Sequence, residues 1–136
     1  MRDLVAALDP ERVQVDDVAR RLYSRDASVL RGGRAGVICF PVTTAEVSAC
    51  VVAAVAHGRD FVARGAGTGL AGGAVPCDEP VMIVLTRMDR ILEVDESRRL
   101  AWVEPGVVNL DLSRHLVGTG LHFAPDPSSQ QSCTIG

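Results

Sequence analysis

The chain has 136 residues, 47% of them hydrophobic, and a net charge of −3 from 17 acidic and 14 basic residues. That apolar fraction excludes a disordered chain, and the absence of any basic block excludes the electrostatic footprint of a nucleic-acid binder. No stretch approaches the roughly 20 apolar residues needed to span a bilayer.

The N-terminal run Leu4-Val5-Ala6-Ala7-Leu8 is short and bounded by Asp3 and Asp9, so it is not a secretory signal. Residues 1–35 read as a helical lead-in: Leu4 and Leu8 stand one turn apart, Asp9-Pro10 reads as a cap and first helical residue, and Val18, Leu22 and Tyr23 share one face. Arg31-Gly32-Gly33-Arg34-Ala35-Gly36 reads as a linker because no strand precedes it, with a second glycine nest as the alternative.

Residues 36–136 read as the folded part. Val37-Ile38-Cys39-Phe40 is a short apolar strand stopped by Pro41, and Thr43-Thr44-Ala45-Glu46 is a capping box that starts a helix near Thr44. Val47, Val51 and Val55 recur at helical spacing, and Gly58 supplies a left-handed stop. Asp60 to Ala63 reads as a second strand, so strand, helix and strand form a small parallel βαβ unit.

From the carboxyl end of that strand leaves Arg64-Gly65-Ala66-Gly67-Thr68-Gly69-Leu70-Ala71-Gly72-Gly73, dense in a residue that is costly to order. Consecutive amides in such a loop make a nest for phosphate oxygens, to which Arg64 and Thr68 add a guanidinium and a hydroxyl. Gly67 to Gly72 fits the dinucleotide fingerprint G-x-G-x-x-G, but that motif needs a helix rising from the glycines, and Pro76 and Pro80 follow too soon. The P-loop of nucleotide triphosphatases needs a lysine, and every basic residue here is arginine. The loop itself must therefore cradle an anion; a flexible surface loop that binds nothing is the alternative.

Val81-Met82-Ile83-Val84-Leu85 reads as a buried strand, and Arg90–Asp95 with Leu100–Glu104 as a hairpin. Pro105-Gly106 leads into a helix carrying Val107, Leu110, Leu112, Leu116 and Val117, ended by Gly118 and Gly120. The segment Pro125 to Gly136, rich in hydroxyls and proline, is either a frayed tail or a second ligand loop. Cys39, Cys50, Cys77 and Cys133 form no Cys-x-x-Cys pair, and His57, His115 and His122 lack ligand spacing, so no metal site is expected and the chain reads as cytoplasmic with reduced thiols.

The glycine loop, Val103-Glu104-Pro105-Gly106-Val107, and Pro125-Asp126-Pro127-Ser128-Ser129 through Cys133-Thr134-Ile135-Gly136 together resemble the FAD-linked oxidases with a PCMH-type, vanillyl-alcohol-oxidase-like flavin domain. Within them the resemblance is to the D subunit of glycolate oxidase and the D-lactate dehydrogenases, and it runs from Tyr23-Ser24-Arg25-Asp26 to the last residue. It implies an α+β fold, an incomplete PCMH-type FAD-binding domain: a small βαβ subdomain, then the start of a second mixed subdomain.

It also implies that Arg64, Gly65, Ala66, Gly67, Thr68, Gly69 and Leu70 wrap the FAD pyrophosphate. Pro125, Asp126, Ser128, Ser129, Cys133, Thr134 and Gly136 would run along the ribityl chain and ring. Some relatives attach flavin to a histidine where this chain has Thr68, which implies non-covalent FAD here. The substrate arginine and histidine residues of the family's cap domain have no counterpart, so no catalytic residue is assigned and the chain reads as a fragment, itself inactive. The parent would oxidise a small D-2-hydroxy acid to a 2-oxo acid by hydride transfer to flavin N5, passing electrons to a quinone, cytochrome, flavoprotein or oxygen. A non-catalytic nucleotide- or anion-binding module is the competing reading.

Overall fold

The computed structural model describes residues 7–136; Leu4, the first member of the expected Leu4–Leu8 pair, lies outside them. Strand β4 (Val81–Val84) is buried at every position, the burial that an unbroken apolar run requires. It sits at the centre of the main sheet, between the parallel strands β2 (Val37–Cys39) and β3 (Phe61–Arg64). Met82 is in register with Ile38 on one side and Val62 on the other.

The expected βαβ unit is thus present with a correction: β2 and β3 do not touch, because β4 inserts between them. The physical reason is burial. β3 is exposed at Phe61 and Ala63 and suits an edge, whereas β4 is apolar on both faces. Helix α2 (Thr44–Ala56) joins β2 to β3 and packs Cys50 and Ala54 against Val37, Cys39, Val81 and Ile83. Thr43 caps it, accepting from the Glu46 amide at 3.2 Å, and His57 and Gly58, at φ +61°, end it.

The Glu46 carboxylate does more than close a capping box. It accepts from the Val42 amide at 2.7 Å and from both Arg12 guanidinium nitrogens at 2.6 and 2.8 Å. Its bond to Arg12 holds its pKa below the ordinary glutamate value of 4.5. The stability it contributes is therefore fully present above that value and lost as pH falls through the lower folded-state value. Glu46→Gln is expected to lower stability by about 1–2 kcal/mol at neutral pH and to flatten the acid limb of a melting-temperature profile against pH; an unchanged acid limb would count against this pairing.

The lead-in is less helical than its pattern suggests. Pro10–Arg12 is one 3-10 turn capped by Asp9, and β1 (Val13–Gln14) pairs antiparallel with β2, a strand too short to show a period. Helix α1 (Asp17–Leu22) buries Ala19, not Val18 and Leu22, which are exposed. Ala19 and Tyr23 pack on Phe40, Ile38, Met82 and Val84, the face of the sheet opposite α2. The glycine-rich stretch before β2 is no free linker: Gly33 and Gly36 amides donate to the Pro76 and Pro80 carbonyls at 2.8 and 2.9 Å.

Hairpin β5 (Ile91–Asp95) and β6 (Leu100–Val103) forms a second sheet with a register shift between Ile91 and Glu93. Helix α3 begins later than expected, at Asn109, and ends at His115; Val107 precedes it yet is buried with Leu112 and Leu116, while Val117 is exposed. Glu104, 8% exposed, fixes the corner between hairpin and helix by accepting from the Arg90 amide and guanidinium at 2.9 and 2.7 Å. Gly106 then donates to the Met88 carbonyl at 2.7 Å, and a Cβ there would overlap the Leu85 carbonyl. These contacts dock the second sheet on the exit of β4.

Candidate functional site

The loop from β3 to β4 leaves the carboxyl end of a parallel strand, the edge at which open α/β sheets bind ligands. Between Arg64 and Val81 it forms neither helix nor strand, as the prolines require. Gly67 and Gly72 lie at φ +75° and +79°, where a Cβ is strained. Among the described residues, the amides of Gly67, Thr68, Gly69 and Leu70 donate to no backbone acceptor. Unspent donors on consecutive residues of a bent, partly exposed loop are what an anion needs.

Arg64 is placed differently from the rest of its motif. Only 8% exposed, it lies under the loop, where its Nη1 donates to the carbonyls of Arg25 at 2.7 Å and Ala74 at 3.4 Å. The guanidinium carbon stands 5.3 Å from the centre of the Tyr23 ring. A Cβ on Gly67 would overlap this guanidinium, so the loop closes over it. From the same side the Ala27 amide donates to the Gly67 carbonyl at 3.0 Å.

The C-terminal segment is not frayed. Asn109 and Leu110 amides donate to the Cys133 and Gln130 carbonyls, both at 3.0 Å, and Ile135 and Gly136 amides to the Val107 and Pro105 carbonyls, both at 2.9 Å. This brings Thr134 onto the glycine loop: its hydroxyl accepts from the Ala66 amide at 3.3 Å and donates to the Gly136 carbonyl at 2.9 Å. A cleft of about 200 Å³ opens at that seam, walled by Ala66, Thr86, Gly106, Val108, Ser132 and Thr134. Of the residues assigned to a ligand, Gly65, Ala66, Thr134 and Gly136 meet there. Pro125, Asp126 and Ser128 are exposed at the far end of their segment, and Cys133 is buried.

A larger groove, about 550 Å³, runs between the hairpin and α3 along Val94, Leu100, Val103, Leu116 and Phe123. It is mostly apolar, with Arg99 and His122 at its wall, and it opens along the cluster of Val107, Leu112 and Leu116. Among the described residues no cluster of His, Cys, Asp and Glu could hold a metal ion, no helix is long and apolar enough to cross a membrane, and all four cysteines are free.

The sequence model of the FAD binding domain matches residues 35–136. The chain belongs to this FAD binding domain family. It is 35% identical over 133 residues to the glycolate oxidase subunit GlcD of Bacillus subtilis (strain 168), covering 98% of this chain and 28% of that protein. With the D-lactate dehydrogenase of Anaerostipes hadrus it shares 34% identity over 128 residues, 93% of this chain and 27% of the relative. The structure superposes on that of an alkyldihydroxyacetonephosphate synthase with a TM-score of 0.86, covering 99% of this chain and 27% of the other; at 24% identity this shows the fold.

The chain thus spans under a third of the length of these relatives. Its fold is that of the PCMH-type FAD-binding domains, as p-cresol methylhydroxylase also shows, with a TM-score of 0.75. What residue-by-residue reading of this FAD binding domain missed is the support beneath the loop, supplied by Tyr23, Arg25 and Asp26. The run Tyr23-Ser24-Arg25-Asp26 was visible only as the place where resemblance begins. Asn109 was missed as well: its amide side chain donates to the Pro125 carbonyl at 3.0 Å and anchors the start of the C-terminal loop.

Proposed function

We propose that this chain is the FAD-holding part of an oxidoreductase that oxidises a small D-2-hydroxy acid to a 2-oxo acid, with FAD held non-covalently. The observation that carries the reading is the run of unspent amides at Gly67–Leu70, on a loop that no helix follows. Those residues fit a diphosphate: the donors stand on consecutive residues, and at Gly69 a Cβ would meet nothing within 4 Å, which leaves room for close approach.

In this reading Gly67 to Leu70 hold the diphosphate through main-chain amides, Thr68 adds a hydroxyl, and Thr134 with Gly136 closes the site from the C-terminal side. When bound, FAD supplies a hydride acceptor for the substrate's α-carbon. Thr68 offers no imidazole for a covalent link. The substrate class is supported by the names of the relatives, glycolate oxidase and D-lactate dehydrogenase.

The test is purification of the gene product containing this chain. A yellow protein whose flavin is released by acid precipitation, and is bleached anaerobically by glycolate or D-lactate, is the expected result. Flavin that stays with the precipitate contradicts non-covalent binding, and a bound flavin that neither acid bleaches contradicts the substrate class. A colourless protein that binds another phosphate ligand favours an anion-binding module.

A further inference from the structure

Arg64 is the one residue of the glycine motif whose side chain is almost wholly buried, and its surroundings explain little if it is a direct ligand of the diphosphate. Both acceptors of its Nη1 are carbonyls of the protein, its guanidinium carbon lies over the Tyr23 ring at 5.3 Å from the centre, and its Nη2 stands where a Cβ of Gly67 would be. Its Nε is buried without a partner. A cation is thus sealed behind the loop whose amides have no acceptor.

Resting on the reading of this loop as a diphosphate site, we infer that Arg64 is a positioning residue: it props Gly67 in its left-handed bend and lends positive charge to the loop amides from behind, without touching the ligand. A planar guanidinium suits that place, because it can stack on a ring and bond carbonyls while remaining charged in a dry setting. Burial draws its pKa down, and the charge of Asp26 opposes that shift.

Asp26 is the counterweight. Its Oδ1 accepts from the Ser28 amide at 2.9 Å, its Oδ2 is buried without a hydrogen bond of good geometry, and its carboxylate is held below the usual range first by Ser28, then by the Ala74 amide, with the Arg64 charge adding to them. The Asp26 charge therefore subtracts from the potential that Arg64 brings to the loop. Neutralising the two residues one at a time should move diphosphate binding in opposite directions, which a merely structural role for Arg64 does not predict.

The experiment measures affinities of the flavin-stripped gene product for FAD and for riboflavin, which has the same ring and ribityl chain without phosphate, in wild type, Arg64→Met and Asp26→Asn. The ratio of the two affinities isolates the diphosphate from any general loss of folding. Arg64→Met is expected to lower the FAD preference about tenfold, the scale of one partly screened charge, and Asp26→Asn to raise it about twofold, both effects shrinking with added salt. An unchanged ratio in Arg64→Met, or a fall in both variants, overturns the inference. If Arg64→Met does not fold, Asp26→Asn decides alone: a rise supports the inference, and no change or a fall overturns it. Wild type that binds no FAD removes the diphosphate reading itself, a result distinct from wild type that binds FAD with the preference insensitive to both charges.

Discussion

Gly67→Val is expected to abolish flavin retention, lowering FAD affinity at least 100-fold, about 3 kcal/mol at 1.4 kcal/mol per decade. Two effects act together. The residue lies at φ +75°, where a β-branched side chain is strained, and its Cβ would strike the Arg64 guanidinium, which is itself pinned by Arg25, Ala74 and Tyr23. The loop must unbend or expel a buried cation. Gly69→Val is the informative companion. Gly69 has no positive φ and an added Cβ meets nothing within 4 Å, so the melting temperature should stay near wild type while the exposed branched side chain obstructs the ligand. The measurement is flavin per mole of protein after gel filtration, beside a thermal melt. Wild-type flavin content in Gly67→Val would remove the loop from the site.

Gly65→Ala should uncouple the glycine loop from the C-terminal segment. Its φ is not left-handed, so backbone strain is not the issue. The added Cβ would overlap Thr134 Oγ1 and come within 2.6 Å of the Gly136 carbonyl oxygen. Overpacking of this kind costs about 1–3 kcal/mol. Since the obstacle is one hydroxyl and one carbonyl, Thr134→Ala in the same chain should restore part of the loss, with a coupling energy of about 1 kcal/mol or more in denaturant unfolding. Strict additivity of the two substitutions would show that the two loops do not meet as described.

Much of this fold could be read from local signals. The run Val81 to Val84 is a strand because nothing in it tolerates water; Thr43 and Glu46 announce the start of α2; and Gly58 marks its end at a left-handed residue. What local pattern could not give is competition between distant partners. Strand order depends on which of β3 and β4 buries more, and chain order names the wrong neighbour for β2. Val13 and Gln14 pair with Cys39 and Ile38, a ladder too brief to leave a period.

The shape of the candidate loop was legible to the same degree. Glycines at 67 and 72 needed their left-handed dihedrals, and the prolines kept a helix from forming. The direction of a long side chain is another matter. Arg64 sits in the motif as a phosphate ligand would, yet Tyr23 and the Arg25 carbonyl, some forty residues earlier in the chain, draw it beneath the loop. Likewise the hydroxyl-rich ending reads equally as a tail or as a loop until Asn109, Val107 and Pro105 are seen to hold it.

The central claim is that main-chain amides of the glycine loop grip the diphosphate of FAD. It is tested most directly by adding FAD to the flavin-stripped, isotope-labelled gene product and following backbone amide resonances. The account predicts that Gly67, Thr68, Gly69 and Leu70 shift most, with Ala66 and Thr134 next, and that riboflavin leaves the first four nearly unmoved. FAD bound at full occupancy with those four amides unperturbed would contradict it.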